Sequence, residues 1–131
     1  MTTTKIAIVA AEFNRELVDA MVVAARDEAG RASVEISREI RIPGCFEMPL
    51  LVSRLLARAD LAAVVVLGHI ERGETLHGEM MGHVVTRALV DVQLATGKPI
   101  GIGIIGPGAT KEQAQERRDA HARAAVRAVV A

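Results

Sequence analysis

The chain has 131 residues, enough for one domain with a buried core. Its 16 acidic and 16 basic residues balance, so no overall electrostatic attraction to nucleic acid or to an anionic membrane is expected. A single cysteine, Cys45, excludes an internal disulfide and favours a reducing compartment. The opening MTTTK lacks the pattern of a signal peptide, and no apolar run approaches the ~20 residues of a membrane span. A single domain over 1–131 and a cytoplasmic location are therefore expected.

Four short segments have the composition of β-strands, and helical patterns separate them. Lys5 to Ala11 and Ala62 to Leu67 are continuous apolar runs, typical of strands covered on both faces. Between them, Val34 to Ile42 alternates apolar and polar residues, which favours an edge strand with one solvated face. Ile100 to Ile105 is the fourth segment, and its two glycines allow a neighbouring element to approach closely. Strands that alternate with helices predict a parallel sheet.

The starts of the helices carry clear sequence signals. Asn14 is placed to cap the first helix, and Pro49 stands near the first position of the second. Thr75 is placed to cap the third helix, while Thr110 and Gln113 have the spacing of a capping box before the fourth. Each helix is therefore predicted to begin within a few residues of the preceding strand or turn.

The third predicted helix is apolar on more than one side. Its apolar residues are Met80, Met81, Val84, Val85, Leu89, Val90 and Val92. A helix of a small domain needs only one apolar face to cover the sheet, so the second face predicts an interface between subunits.

Polar and aromatic residues collect after the strands, where ligands bind in open parallel sheets. The only two aromatic residues, Phe13 and Phe46, stand beside Asn14 and Glu47 in these loops. Because the apolar runs are built from Val, Ile, Leu and Ala, the two rings are interpreted as stacking on a flat ligand. The alternative is that each ring fills a loop. Glu47 could hydrogen-bond a hydroxyl or a ring nitrogen, or could simply be a favourable first-turn charge.

A small phosphate is the expected anion. Gly73, Glu74 and Thr75 open a helix whose free N–H groups favour negative charge, and the glycines of GPGAT precede another helix start. Neither stretch has the spacing of a nucleotide-binding fingerprint, which disfavours a large nucleotide. Arg117 could add a bidentate contact, including from a neighbouring subunit, although a helix arginine is more commonly solvated.

His77 is the best candidate for proton transfer. It follows Thr75 in the first helical turn, where the helix dipole disfavours an imidazolium and leaves a neutral ring that can accept a proton. Glu74 and His77 form an E-x-x-H pair, but no second pair accompanies it, so no metal is expected. Cys45 could be a nucleophile with His77 as its base, or a small residue that fills a tight turn.

Four motifs in order resemble one family, the 6,7-dimethyl-8-ribityllumazine synthases. They are FN after the first strand, PG-x-FE-x-P after the second, LG-x(4)-GET-x-H after the third, and QER in the last helix. The stretch GPGATKEQAQER is most similar to the archaeal-type branch. The resemblance covers nearly the whole chain. Archaeal-type riboflavin synthase, a related fold, would lack the GET-x-H element.

The resemblance implies a flavodoxin-like three-layer sandwich with a four-stranded parallel sheet in the order 2-1-3-4. It implies condensation of 5-amino-6-(D-ribitylamino)uracil with 3,4-dihydroxy-2-butanone 4-phosphate, a step of riboflavin biosynthesis that releases phosphate and water. It also implies no cofactor or metal, and an oligomer built from pentamers with active sites between subunits. The balanced charge already predicts no nucleic-acid or membrane partner.

The resemblance also implies roles for individual residues. His77 would be catalytic, Phe13 would stack on the pyrimidine, and Glu47 would bind the ribityl chain; His69 would contribute mainly its backbone. The residues implied to bind the pyrimidine substrate are Phe13, Asn14, Gly44, Cys45, Phe46, Glu47, His69, Ile70, Glu71 and Ile102. Those implied to bind phosphate are Gly73, Glu74, Thr75, Arg117 and Arg123.

Three positions depart from the family pattern. Glu71 stands where an apolar residue is usual, Ile102 replaces an aromatic residue, and Ala122 lies where some members have a basic residue, with Arg123 beside it. Two other readings stay open. The chain could be a lumazine- or flavin-binding scaffold that has lost turnover, or a different enzyme that uses Cys45 on a small phosphorylated carbonyl compound.

Overall fold

Four parallel strands form one sheet in the computed structural model, which describes residues 3–71, 73 and 75–130. The strands are β1 (Lys5–Ala11), β2 (Glu35–Ile42), β3 (Ala63–His69) and β4 (Ile100–Ile105). Their order is β2-β1-β3-β4, and every neighbouring pair is parallel. The predicted strand order and direction are confirmed.

Four helices cover the two faces of the sheet. They are α1 (Arg15–Arg31), α2 (Met48–Leu56), α3 (His77–Thr96) and α4 (Lys111–Val130), and a short 3-10 helix over Cys45–Glu47 leads into α2. α1 and α4 form one core with the sheet, and α2 and α3 form the other. The result is the predicted three-layer α/β fold. Within the described ranges, no helix is both long and apolar enough to cross a membrane.

The central strands β1 and β3 are covered on both faces, as their continuous apolar runs predict. Val65 and Leu67 belong to the core under α1 and α4, whereas Val64 and Val66 belong to the core under α2 and α3. This alternation is the two-residue period of a strand.

β2 lies at the edge of the sheet, as predicted, but it does not have one solvated face. Its pairing with β1 passes from Ile36 to Arg38, so Ser37 is an extra residue in the strand. Because side chains alternate along a strand, one extra residue exchanges the two faces. Ile36 therefore packs on the core under α1 and α4, whereas Ile40 packs on the opposite core.

Two of the predicted helix starts are present. The N–H of Gln113 donates to Thr110 Oγ1 (3.1 Å), and the N–H of Thr110 donates to Gln113 Oε1 (2.9 Å), which is a complete capping box. Pro49 occupies the first turn of α2, where its missing N–H costs nothing.

The predicted cap of α3 is displaced by one residue. The N-cap position is occupied by Leu76, not by Thr75. Thr75 still contributes, because its Oγ1 accepts a hydrogen bond from the N–H of His77 (3.3 Å).

The glycines of β4 allow the close packing that the sequence predicts. A Cβ at Gly101 would overlap the carbonyl oxygen of Ala125 in α4, and one at Gly103 would lie 2.7 Å from Leu67 Cδ2. α4 therefore lies directly against the backbone of β4.

Candidate active site

The largest set of predicted site residues lines one cavity of about 530 Å³. The cavity lies beyond the carboxyl ends of β1, β2 and β3, where the start of α3 closes one side. Its lining residues are Ala11, Phe13, Pro43, Gly44, Cys45, Phe46, Glu47, His69, Ile70, Glu71, Gly73, Thr75, His77, Gly78 and Met81. Loops that are far apart in sequence thus form one rim, because the carboxyl ends of parallel strands share an edge.

Both aromatic rings are half exposed at this cavity. Phe13 is 54% exposed and Phe46 is 45% exposed, so neither ring is buried as a plug inside its loop. The ring of Phe46 lies 6.5 Å from the ring of His77, centre to centre, with the planes at 71°. The rings are available to a flat ligand, and one of them is next to the predicted proton carrier.

Backbone hydrogen bonds fix the loop that carries Phe13. The N–H of Glu12 donates to the carbonyl of Ile42 (2.7 Å), and the N–H of Phe13 donates to the carbonyl of Pro43 (3.2 Å). These bonds extend the pairing of β1 with β2 past the end of the sheet, which holds the Phe13 loop against the loop of Phe46.

Asn14 stands at the N-cap of α1 but does not cap it with its side chain. Its backbone is left-handed (φ 58°, ψ 47°), and its side chain makes no cap hydrogen bond. An N-cap side chain contributes about 1 kcal/mol when it bonds the first turn. The Nδ2 of Asn14 instead donates to Nδ1 of His69 (3.0 Å). The prediction of a capping role for this side chain is wrong.

His69 is a buried residue, and its side chain has a hydrogen bond that the sequence does not reveal. It is 5% exposed, and burial lowers the pKa of the imidazole, although the charge of Glu71 acts in the opposite direction. With Nδ1 accepting from Asn14, the proton of the neutral ring resides on Nε2. Nε2 is buried and has no hydrogen-bond partner among the described residues. The expectation that His69 contributes mainly its backbone is therefore incomplete.

Cys45 is unsuited to nucleophilic attack. The residue is buried, and that burial, with a smaller contribution from the charge of Glu47, raises the pKa of its thiol to about 11. A Cβ at Gly68 would lie 2.8 Å from its Sγ, so the thiol fills the space above a glycine of β3. Because the thiolate is the reactive form, the hypothesis of a Cys45 nucleophile is disfavoured, and the tight-turn interpretation is supported.

The start of α3 forms one side of the cavity, where phosphate binding is predicted. Gly73, Thr75 and His77 line it, and His77 is the first residue of the helix. Gly78 is buried, and a Cβ on it would lie 2.5 Å from the carbonyl oxygen of Glu71. The helix therefore begins in direct contact with the backbone that follows β3. The predicted phosphate ligand Glu74 lies outside the described residues.

Two carboxylates stand at the rim. Glu47 is exposed, and its Oε2 would lie 3.4 Å from a Cβ on Gly44. Glu71 is also exposed and lines the cavity, so its departure from the family pattern places a negative charge at the edge of the site.

Of the E-x-x-H pair, His77 is described and Glu74 lies outside the described residues. Among residues 3–71, 73 and 75–130, no three His, Cys, Asp or Glu side chains lie close enough together to hold a metal ion. The groups at the cavity are aromatic faces, carboxylates, an imidazole and a helix N-terminus, which suit an organic ligand with a phosphate.

Arg117 and Ile102 lie apart from this cavity. They line a groove of about 280 Å³ between β4 and α4, together with Ala120, His121, Ala124, Ala125 and Ala128. His121, interpreted from the sequence as an ordinary helix residue, lies in the same groove, because its spacing of four residues from Arg117 places both side chains on one face of α4.

Arg123 is held by α1. Its Nη1 lies 2.7 Å from Asp27 Oδ2 and 3.5 Å from Glu28 Oε1. The hydrogen bond from Arg123 is the main reason that the pKa of Asp27 is lowered. The structure does not bring this predicted phosphate ligand to the cavity. Ala122 is buried in the core under α1 and α4, so that position offers no charge either.

Comparisons with known proteins agree with the resemblance seen in the motifs. A family model described as 6,7-dimethyl-8-ribityllumazine synthase matches residues 3–131. A protein of that name from Metallosphaera sedula is 41% identical over 98% of this chain and 85% of its own length. A protein of the same name from Methanoculleus marisnigri is 40% identical over 98% of this chain and 94% of its own length. Another from Aeropyrum pernix is 43% identical over 96% of this chain and 86% of its own length. The chain belongs to the 6,7-dimethyl-8-ribityllumazine synthase family.

Proposed function

We propose that this protein condenses 5-amino-6-(D-ribitylamino)uracil with 3,4-dihydroxy-2-butanone 4-phosphate to 6,7-dimethyl-8-ribityllumazine, in riboflavin biosynthesis. The single observation that carries the proposal is one cavity, in a chain of this family, that holds Phe13, Phe46, Glu47 and His77 beside the N-terminus of α3. Phosphate and water are the other products, and the reaction needs no cofactor or metal.

The pyrimidine binds at the aromatic side of the cavity. Phe13 stacks on the ring, and the backbone near Cys45, Phe46 and Ile70 binds its edge. Glu47 accepts hydrogen bonds from the ribityl hydroxyls, since its carboxylate is exposed at the rim. Asn14 belongs to the same subsite through its contact with His69.

The butanone phosphate binds at the start of α3. The backbone N–H groups of Gly73, Glu74 and Thr75 hold the phosphate, and the helix dipole adds to the attraction. Arg117 completes the subsite from a neighbouring subunit, because within one chain it lines a different groove.

His77 carries protons between the two substrates. It accepts and returns protons during imine formation, phosphate elimination and ring closure, from a position next to Phe46. Much of the rate comes from holding two reactive molecules together, an effect that reaches about 7 to 11 kcal/mol in favourable cases.

The site is shared between subunits of a ring, and a pentamer is the proposed assembly. Two observations support a shared site. Arg117 and Ile102 lie outside the cavity lined by Phe13 and His77. An exposed apolar stripe runs from Leu76, the N-cap residue of α3, to Met80 and Val84. The proposed enzyme is a single domain, is located in the cytoplasm, and has no nucleic-acid or membrane partner.

The first test mixes purified protein with both substrates and follows lumazine absorbance and fluorescence against the spontaneous condensation. Formation well above the spontaneous rate is expected. If folded protein forms lumazine only at the spontaneous rate but binds lumazine tightly, a binding or scaffold role replaces the enzymatic one.

A complementation experiment tests the shared site. His77→Ala should mainly lower kcat, because it removes proton transfer, whereas Arg117→Ala should mainly raise the KM for butanone phosphate. In rings assembled from equal amounts of both variants, about a quarter of head-to-tail sites combine an intact His77 with an intact Arg117. Activity well above that of either variant alone is expected. If mixed rings are no more active than the average of the two variants, the two residues act in the same subunit.

A further inference from the structure

We propose that the buried imidazole of His69 is a positioning residue, which holds Asn14 and thereby the stacking residue Phe13 at the edge of the cavity. The inference rests on the proposed function, in which Phe13 stacks on the pyrimidine. His69 would act without touching the reacting atoms.

The direction of the His69 side chain follows from its place in β3. Val65 and Leu67 face the core under α1 and α4, and His69 continues their alternation. Its neighbour Ile70 belongs to the opposite core, and both residues line the cavity. The imidazole therefore reaches the start of α1, where it meets Asn14.

Asn14 has two unusual features that this contact explains together. It occupies an N-cap position, where extended backbone is typical, yet its φ is 58°. Its side chain leaves the first turn of α1 uncapped and instead bonds a residue 55 positions away. A bond between β3 and the start of α1 fixes the point at which the chain turns after Phe13.

The state of the imidazole supports a positioning role over a purely stabilising one. Accepting at Nδ1 leaves the N–H at Nε2 buried and without a partner among the described residues. A buried unpaired donor is unfavourable, and an aliphatic side chain would avoid it. What the imidazole contributes is therefore the placement of Asn14. Burial lowers the pKa of His69, which keeps the ring in the neutral form that can accept a hydrogen bond at Nδ1.

Steady-state kinetics of His69→Leu and His69→Asn provide the main test. Leu removes the acceptor for Asn14, which costs one hydrogen bond of about 1 kcal/mol. The KM for ribitylaminouracil should therefore rise about fivefold. The KM for butanone phosphate and the melting temperature should change little. Asn places an oxygen where Nδ1 stands and should restore most of the affinity. Gln93→Leu is the matched control, since it removes the acceptor for the N–H of Ile100 at the far end of the sheet.

Two kinetic outcomes would overturn the proposal. One is an unchanged KM for ribitylaminouracil in His69→Leu. The other is a loss of stability with parallel changes in kcat and both KM values, which would mean that His69 is only structural. The wild-type assay distinguishes the two proposals. An inactive wild-type protein would reject the proposed function, whereas an active wild type with an unchanged KM in His69→Leu would reject only the role of His69.

If the wild-type protein is inactive, NMR can still test whether His69 positions Asn14 and Phe13. Nitrogen-15 NMR of the wild-type protein at neutral pH should show His69 with an unprotonated Nδ1 and a protonated Nε2. In His69→Leu, the backbone shifts of Phe13 and Asn14 should change, and Asn14 should leave the left-handed region. A protonated Nδ1, or unchanged shifts at both residues, would reject the positioning role.

Discussion

At the scale of single residues, burial decides whether Cys45 reacts. Its pKa of about 11, against an ordinary 9.0, leaves about a hundredfold less thiolate at pH 8 than a free cysteine has. The folded protein should therefore react with iodoacetamide far more slowly than the urea-unfolded protein, and the rate should keep rising up to about pH 11. Mass spectrometry over time measures both rates. Rapid alkylation of folded protein with loss of activity would instead restore Cys45 as a nucleophile.

Gly78 determines where α3 begins, and with it the position of the preceding residue His77. An added Cβ would lie 2.5 Å from the carbonyl of Glu71, so Gly78→Ala must displace the start of α3 together with His77 and Thr75. A displacement near 1 Å lowers kcat/KM by about 10- to 100-fold. The control is Gly30→Ala in α1, where nothing lies within 4 Å, and which should add about 0.5 to 1 kcal/mol of stability. Full activity in Gly78→Ala would show that the helix start tolerates the shift.

At the scale of elements, the contact between α4 and β4 depends on Gly101. A Cβ there would overlap the carbonyl oxygen of Ala125, and backbone cannot move aside as a flexible side chain can. Gly101→Ala should lower the free energy of unfolding by about 2 to 3 kcal/mol, as overpacking of a core does. Urea unfolding measures the change. The control is Gly106→Ala, which should hardly change the free energy of unfolding because nothing lies within 4 Å of the added Cβ. Equal stability of the two variants would contradict the close packing of α4 on β4.

At the scale of the whole molecule, α3 has one apolar face packed against the sheet and another exposed to solvent. Val85 and Leu89 are fully buried against the sheet, whereas Met80 and Val84 are 50% exposed and Leu76 is 77% exposed. Val84→Glu would place a charge on the outer face, so it should dissociate the proposed ring and, if the site is shared between subunits as proposed, lower activity. Analytical ultracentrifugation measures the assembly. The control is Val23→Glu, on the exposed side of α1, which should leave the assembly unchanged. If Val23→Glu dissociates the assembly and Val84→Glu does not, the outer face of α3 is not the interface.

The sequence by itself determined the elements and the edge of the sheet at which the site lies. Continuous apolar runs reveal buried strands, and capping chemistry reveals helix starts, because both depend on residues that are neighbours in the chain. The capping box of Thr110 and Gln113 and the cavity position of Phe13 and His77 were predictable for this reason.

Only the tertiary structure decided how distant residues pair. The extra residue Ser37 exchanges the faces of β2, although the apolar alternation continues through it. Asn14 bonds His69 instead of capping α1, and Arg117 lies in a groove away from the cavity lined by Phe13 and His77. Each of these depends on a contact between segments far apart in the chain, and neither hydrophobic period nor local spacing carries information about such contacts.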